Sequence, residues 1–316
     1  MSRIVYLDQN KWIDIARAFY GREDGKKYQP VLQKLQEKVN SGEIIVPISA
    51  VHIIETARNG DKDRRERLAN FIADLSKSYG ILPYTSVREE EIENAILLKL
   101  GQATKHNIQE IAINRGVAHV LGMELPKNVF SDDYKNFLIK VNQLEKFVAT
   151  MMIDFISREL VNELKQEDID AIVDYEKSRQ LKNEELSKET RLRVAIMEMA
   201  YDRLFPVIIK QLKKMGIDPK PFADSFSDIE DWKRFFFSMP TMDIWINLHI
   251  LRDNDNDKAV HRNDTNDMAF LSIAVPYCDI VVTEKYWAHL LISNGYDKKY
   301  NTTILSDLTE LTDLIE

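Results

Sequence analysis

Five carboxylates sit where apolar runs give way to helix patterns. Asp8 follows "RIVYL", and Glu55 lies one and a half turns into the helix pattern behind "EIIVPIS". Asp264 and Asp267 open "DTNDMAFLSIAV", and Glu284 follows "DIVVT". Carboxylates brought to one place repel and hold each other's protons unless cations join them. Hard divalent ions such as Mg²⁺ or Mn²⁺ fit, because they take oxygen ligands and keep several waters. The usual chemistry of such a centre is phosphodiester hydrolysis, with the ion activating water and clamping the scissile phosphate. Asp8, Glu55, Asp267 and Glu284 are the expected ligands, with Asp264 completing the acidic set. Asn10, Ser49 and Thr283 stand where they would orient ligands or water. Lys11, Arg58 and Arg262 stand where they would touch phosphate. Asp279 begins its strand and belongs to the opposite edge.

Each acid also has a plainer reading. Asp8 or Asn10 would N-cap the first helix. Asp264 and Asp267 have the i, i+3 spacing of a capping box. Thr283 would cap its helix, with Glu284 as a first-turn charge. Glu55 would pair with Arg58. Glu55 resists most, since it lies too deep in its helix to cap it and beside the apolar stripe of Ile53, Ile54 and Ala57.

Other chemistries find less support. "DNDND" (253–257) starts like a calcium loop, but Lys258 stands where glycine is needed and Asp264 where glutamate is needed. The run reads as a solvated loop. "DQN" after the first strand lacks the second acid of an Asp-x-Asp phosphatase. No phosphate-cradling glycine loop is present, and the six histidines show no zinc spacing. His52 and His261 read as packing or surface residues, and Cys278 as a core thiol.

The elements that must position these residues alternate near both chain ends. Strands are predicted at Arg3–Leu7, Glu43–Ser49, Tyr79–Thr85, Asp279–Thr283 and Thr302–Leu305. Helices are predicted between them, with Trp12, Ile15, Ala16 and Phe19 on one face of the first and Asp267 to Val275 in a late one. Strands joined by helices favour a parallel sheet, with ligands beyond its carboxyl edge. The strand after Asp279 is expected beside the strand before Asp8. From 87 to 252 the pattern is almost wholly helical. A long helix from near Ser131 is predicted, with a seam of Phe137, Val141, Leu144, Val148, Met151 and Phe155. That seam serves internal packing, a protein partner or a second copy. The expected architecture is α/β, one domain from 1–86 and 253–316 with a helical insertion at 87–252.

Composition bounds these readings. The chain has 316 residues, 44% hydrophobic and 30% charged, which suits a globular protein of one large or two modest domains. Its formal net charge of −8 argues against indiscriminate coating of nucleic acid, yet permits a local basic groove. The single cysteine excludes an internal disulfide. The sequence shows no eighteen-residue apolar run and no signal-peptide pattern, so a cytoplasmic protein without membrane contact is expected.

The order Asp8 with Asn10, then Ser49 and Glu55, then Asp267, then Thr283 with Glu284 resembles the PIN-domain nucleases. "NDTNDMAFLSIAVPYCDIVVTEKYWA" is similar to the PIN-like branch with "PYCD" before the last strand of the site. The likeness spans Ser2–Asp61 and Asn263–Leu305. Where many PIN domains carry Thr-x-Asp, this chain has Thr283-Glu284 directly, and its helical insertion is unlike the compact toxins. The resemblance implies a three-layer α/β/α sandwich and Mg²⁺- or Mn²⁺-dependent cleavage of single-stranded RNA, in a toxin or defence effector. Related expectations are a DNA nuclease with the same site, or a non-catalytic module that binds a partner through its insertion.

Overall fold

The computed structural model describes residues 2–123, 132–155, 186–187, 189–191, 193–194, 204–255, 261 and 263–316. It contains a four-stranded parallel sheet in the order β2-β1-β5-β6. The strands are β1 (Arg3–Leu7), β2 (Ile44–Ile45), β5 (Ile280–Val282) and β6 (Thr303–Leu305). Val5 pairs with Ile280 and Leu7 with Val282, so the two chain ends meet in one sheet as expected. The short apolar runs suit strands covered on both faces. Val5, Leu7, Ile280 and Val282 face one core, while Tyr6 and Val281, of opposite parity, are equally inaccessible.

Four helices shape the carboxyl edge: α1 (Gln9–Phe19), α2 (Gln29–Ser41), α3 (Ala50–Ala57) and α4 (Lys62–Ser76). Trp12, Ile15 and Ala16 of α1 enter the core, joined by Leu32 and Leu35 of α2 and by Ala69 and Ile72 of α4. Gly42 ends α2 in a left-handed conformation (φ 76°), which costs glycine no steric penalty. The Glu43–Ser49 strand shrinks to Ile44–Ile45, because Pro47 lacks a backbone donor for a ladder. Ile48 instead forms a single bridge to Gly80 in β3 (Tyr79–Ile81), which runs antiparallel to β4 (Ile113–Arg115).

The chain divides into two units. One comprises Met1–Pro83, Ala112–Lys165 and Ala274–Glu316; the other comprises Tyr84–Ile111 and Gln166–Ile273. This differs from a division at 86 and 253. Val117, Val120, Val148, Ala149 and Met152 share the core of α1 and α4, so part of the expected insertion folds with the sheet.

The single helix expected from Ser131 is interrupted. Helical segments span Asp132–Asn142 and Glu145–Thr150, with extended Leu144 (φ −73°, ψ 131°) between them. At the end of the first segment the Asn142 side-chain amide oxygen accepts a bond from Ala118 N at 2.8 Å. Phe137 and Leu144 are exposed while Val148 and Met151 are buried, so the seam is not continuous. A turn of π-helix at Met151–Phe155 completes the described part.

In the second unit Phe205, Phe222, Phe226, Trp232, Phe235 and Phe236 form one aromatic cluster. Asp253, expected in a solvated loop, is 4% exposed and ends the helix Pro240–Asp253 in an ion pair with Arg252 (3.1 Å). Asp257 and Arg262 lie outside the described residues. The late helix spans Asp264–Tyr277, longer at both ends than predicted. Among the described residues no helix is long and apolar enough to cross a membrane.

Candidate metal centre

β1 delivers the chain to α1 at Asp8. Its extended backbone and its carboxylate, which accepts from Gln9 N at 2.6 Å, make it the N-cap. The capping reading therefore holds, but it uses only Oδ1. Oδ2 is buried with no hydrogen-bond partner in a residue 4% exposed. Leaving a carboxylate oxygen so is costly unless a proton or a cation meets it. Burial first, then the charge of Glu284, pushes the Asp8 carboxyl up to about 6. The Gln9 N–H, Lys11 and the Thr283 hydroxyl oppose that rise.

Glu55 lies on the second turn of α3. Burial, then Asp8, raises its carboxyl to about 7, with Glu284 adding to the rise and Arg58 opposing it. Arg58 therefore acts on Glu55 as the pairing reading expects, but burial and Asp8 outweigh it. Glu284 occupies the N-cap position of the helix Lys285–Ser293 and accepts from Asn10 Nδ2 at 2.7 Å. The adjacency of β1 and β5 makes this link, since Asp8 N also donates to Val282 O at 2.9 Å. Asp8, Glu55 and Glu284 thus come together from three segments, and the charge of Glu284 adds to the hold of Asp8 and Glu55 on a proton.

The orienting residues behave differently from one another. Thr283 is fully buried, its hydroxyl beside Asp8 but outside hydrogen-bond geometry. Asn10 holds Glu284. Ser49 does not reach the acids. It is the N-cap of α3, bonded to the Tyr6 hydroxyl at 3.1 Å, and its N–H donates to His52 Nδ1 at 2.8 Å. It acts on the helix that carries Glu55. His52 is fully buried against Tyr6 and Trp12, and burial lowers its imidazole to about 3, so it is neutral. Gln9, unmarked by any motif, bonds Thr56 through Nε2 at 3.1 Å and ties α1 to α3 beside Glu55.

Two other expectations change. Lys11 donates to the Ser306 carbonyl at 2.7 Å, anchoring the loop after β6 instead of facing a phosphate. Asp264, in the second unit, accepts from Arg252 Nε and from His261 N, both at 3.1 Å. Its carboxylate is 5% exposed and Arg252 3%, so it lies in a buried ion pair whose guanidinium it shares with Asp253. Asp267 lies in the first turn of the same helix, half-buried.

The donor set Asp8, Glu55 and Glu284 is all oxygen, with one orphaned buried carboxylate atom, and that chemistry fits a hard divalent cation. Among the described residues no three His, Cys, Asp or Glu side chains stand in ready coordination geometry. No protein-family model, no curated protein and no solved structure matches the chain.

Proposed function

We propose that the chain is a PIN-like, metal-dependent endonuclease, a hydrolase of phosphodiester bonds with single-stranded RNA as its favoured substrate. The observation that carries this reading is the buried, unpartnered Oδ2 of Asp8, in a carboxyl that burial and the charge of Glu284 raise, with Glu55 raised beside it. Asp8, Glu55 and Glu284 would hold Mg²⁺ or Mn²⁺. Such an ion supplies a more acidic water and offsets charge on the phosphate in the transition state. Asn10 fixes the Glu284 carboxylate, and Thr283 presents its hydroxyl to Asp8. The resemblance adds Asp267 as a further ligand and a toxin or defence role as the biological setting.

The lack of a ready three-ligand cluster favours the rival reading, a non-catalytic interaction module. Labelled RNA and DNA oligonucleotides, incubated with the full chain in Mn²⁺ and in EDTA, separate the readings. RNA cleavage in Mn²⁺ alone is expected, with Glu55→Gln slower by about a hundredfold or more, ~2.7 kcal/mol of transition-state stabilisation. Cleavage of DNA only would reassign the substrate. No cleavage of either, or equal rates for Glu55→Gln, would overturn the nuclease reading.

A further inference from the structure

The first unit holds a cavity of about 410 Å³ between α1, α4 and the loop joining α3 to α4. Arg17, Arg22, Arg64 and Arg67 line it together with Asn59 and Tyr20, over an apolar floor. No carboxylate lines it. In a chain of net charge −8, four guanidinium groups line this one cavity, and the carboxylates that pair with three of them stand outside its lining.

The arginines are held in place from outside the lining. Asp14 binds Arg17 at 2.9 Å, Asp24 grips Arg22 through two bonds of 3.0 and 3.2 Å, and Asp61 pairs with Arg64 at 3.1 Å. Each pair leaves donors of a five-donor fork unused by that carboxylate. Among the described residues Arg67 makes no ion pair. Its Nε donates to the Asp63 carbonyl at 3.2 Å, and its guanidinium stands 6.0 Å from the Tyr20 ring. The Tyr20 hydroxyl donates back to the Arg67 carbonyl at 2.9 Å, which fixes the ring against α4. Gly25 keeps the wall close: a Cβ there would lie 2.3 Å from Ala18 N.

Oriented guanidinium forks match phosphate oxygens, and an aromatic ring beside an arginine plane accepts a base. The volume suits one nucleotide unit. The cavity is also tied to the acids by two helices. Asp8 precedes α1 and Arg17 lies nine residues on, about 13 Å along a helix. Glu55 and Asn59 flank the end of α3. Both points lie within the footprint of a short single strand.

We propose that this arginine-lined cavity binds a phosphodiester and base of a single-stranded nucleic acid, a subsite that anchors the strand away from the carboxylates. The assignment rests on the nuclease reading for its substrate, but binding tests it separately. The full chain is titrated against a labelled single-stranded RNA of about ten nucleotides, in EDTA so that no metal-dependent cleavage intervenes. Wild type should bind with strong salt dependence. Arg64→Ala with Arg67→Ala should weaken binding tenfold or more and reduce the slope of log K against log salt by about 1.4, from two lost contacts. The double lysine variant should recover the slope but only part of the affinity, since lysine keeps charge without the fork. A melting curve checks that both variants remain folded. If the strand does not bind, or the alanine pair leaves affinity and slope unchanged, the subsite is overturned. If binding responds as stated but Mn²⁺ produces no cleavage, the subsite stands and the nuclease reading falls. If wild type cleaves but binding is insensitive to the alanine pair, the nuclease reading stands and the subsite falls.

Discussion

At the scale of single residues, the acids make opposite demands with and without a cation. Asp8 rises from an ordinary 3.8 to about 6, and Glu55 from 4.5 to about 7. Raised carboxyl pKa values mean that the folded state holds the proton more tightly than the unfolded chain. The stability they contribute is full below about pH 4 and is lost as pH rises through 6 and 7. In EDTA, the melting temperature of wild type relative to Glu55→Gln should therefore fall between pH 5 and pH 8. For Glu55 the loss is on the order of 2 kcal/mol, a few degrees in a chain of this size. Adding Mn²⁺ at pH 8 should raise wild type more than the variant. Calorimetry of both proteins at the two pH values provides the measurement. Parallel pH profiles would mean that Glu55 titrates normally and needs no cation.

At the scale of elements, α3 depends on a contact that no charge pattern marks. His52 accepts the Ser49 N–H across the first turn and packs between Tyr6 and Trp12. His52→Ala leaves that buried N–H unpaired and opens space in a packed site, at a cost of about 2–4 kcal/mol. His52→Asn restores an acceptor on a shorter side chain and should recover part of the loss. Urea unfolding of the three proteins at pH 8 tests the order. A loss below about 0.5 kcal/mol for His52→Ala would show that the cap contributes little. His52 also has a pH signature of the opposite sign to the acids. Its folded value of about 3 lies below the usual 6.5, so its contribution is present above 6.5 and declines as pH falls towards 3. In wild type this trend and that of Asp8 and Glu55 offset each other, which is why the difference from Glu55→Gln is the informative quantity.

At the scale of the whole molecule, the sheet joins residues almost three hundred positions apart. β6 supplies the outer pairing of β5, and Leu305, Leu308, Leu311 and Ile315 behind it belong to the same core as Trp12 and Leu35. Arg3 adds a bond from Nη1 to the Leu314 carbonyl at 2.6 Å. Removing residues 303–316 strips one edge of the sheet and those buried side chains, at roughly 1.5–3 kcal/mol for each fully buried apolar side chain. That sum is comparable to the whole stability of an ordinary domain. The truncated chain should lack a cooperative melting transition and should aggregate through the bared β5 edge. A sharp transition with normal near-ultraviolet circular dichroism would show that the C-terminal segment is dispensable.

By itself the sequence determined the strand identities at both ends, their parallel association and the placing of Asp8 and Glu284 after two of those strands, because these follow from apolar runs and from what comes immediately after them. It also marked Glu55 as a residue that capping could not explain. Its limits lay where one contact outweighs a pattern. Pro47 cut the second strand short, and an extended Leu144 interrupts a helix whose apolar spacing ran on unbroken. Asp264 read along the chain as completing the acidic set, yet tertiary structure buried it against Arg252. Lys11 and Ser49 were likewise diverted, to a carbonyl and to a cap. Of the four arginines of the cavity only Arg64 and Arg67 share a helix face; α1 and the segment behind it bring Arg17 and Arg22 to them only after folding. Local sequence sets which groups are available, whereas partners distant along the chain decide which of those charges remain for a ligand.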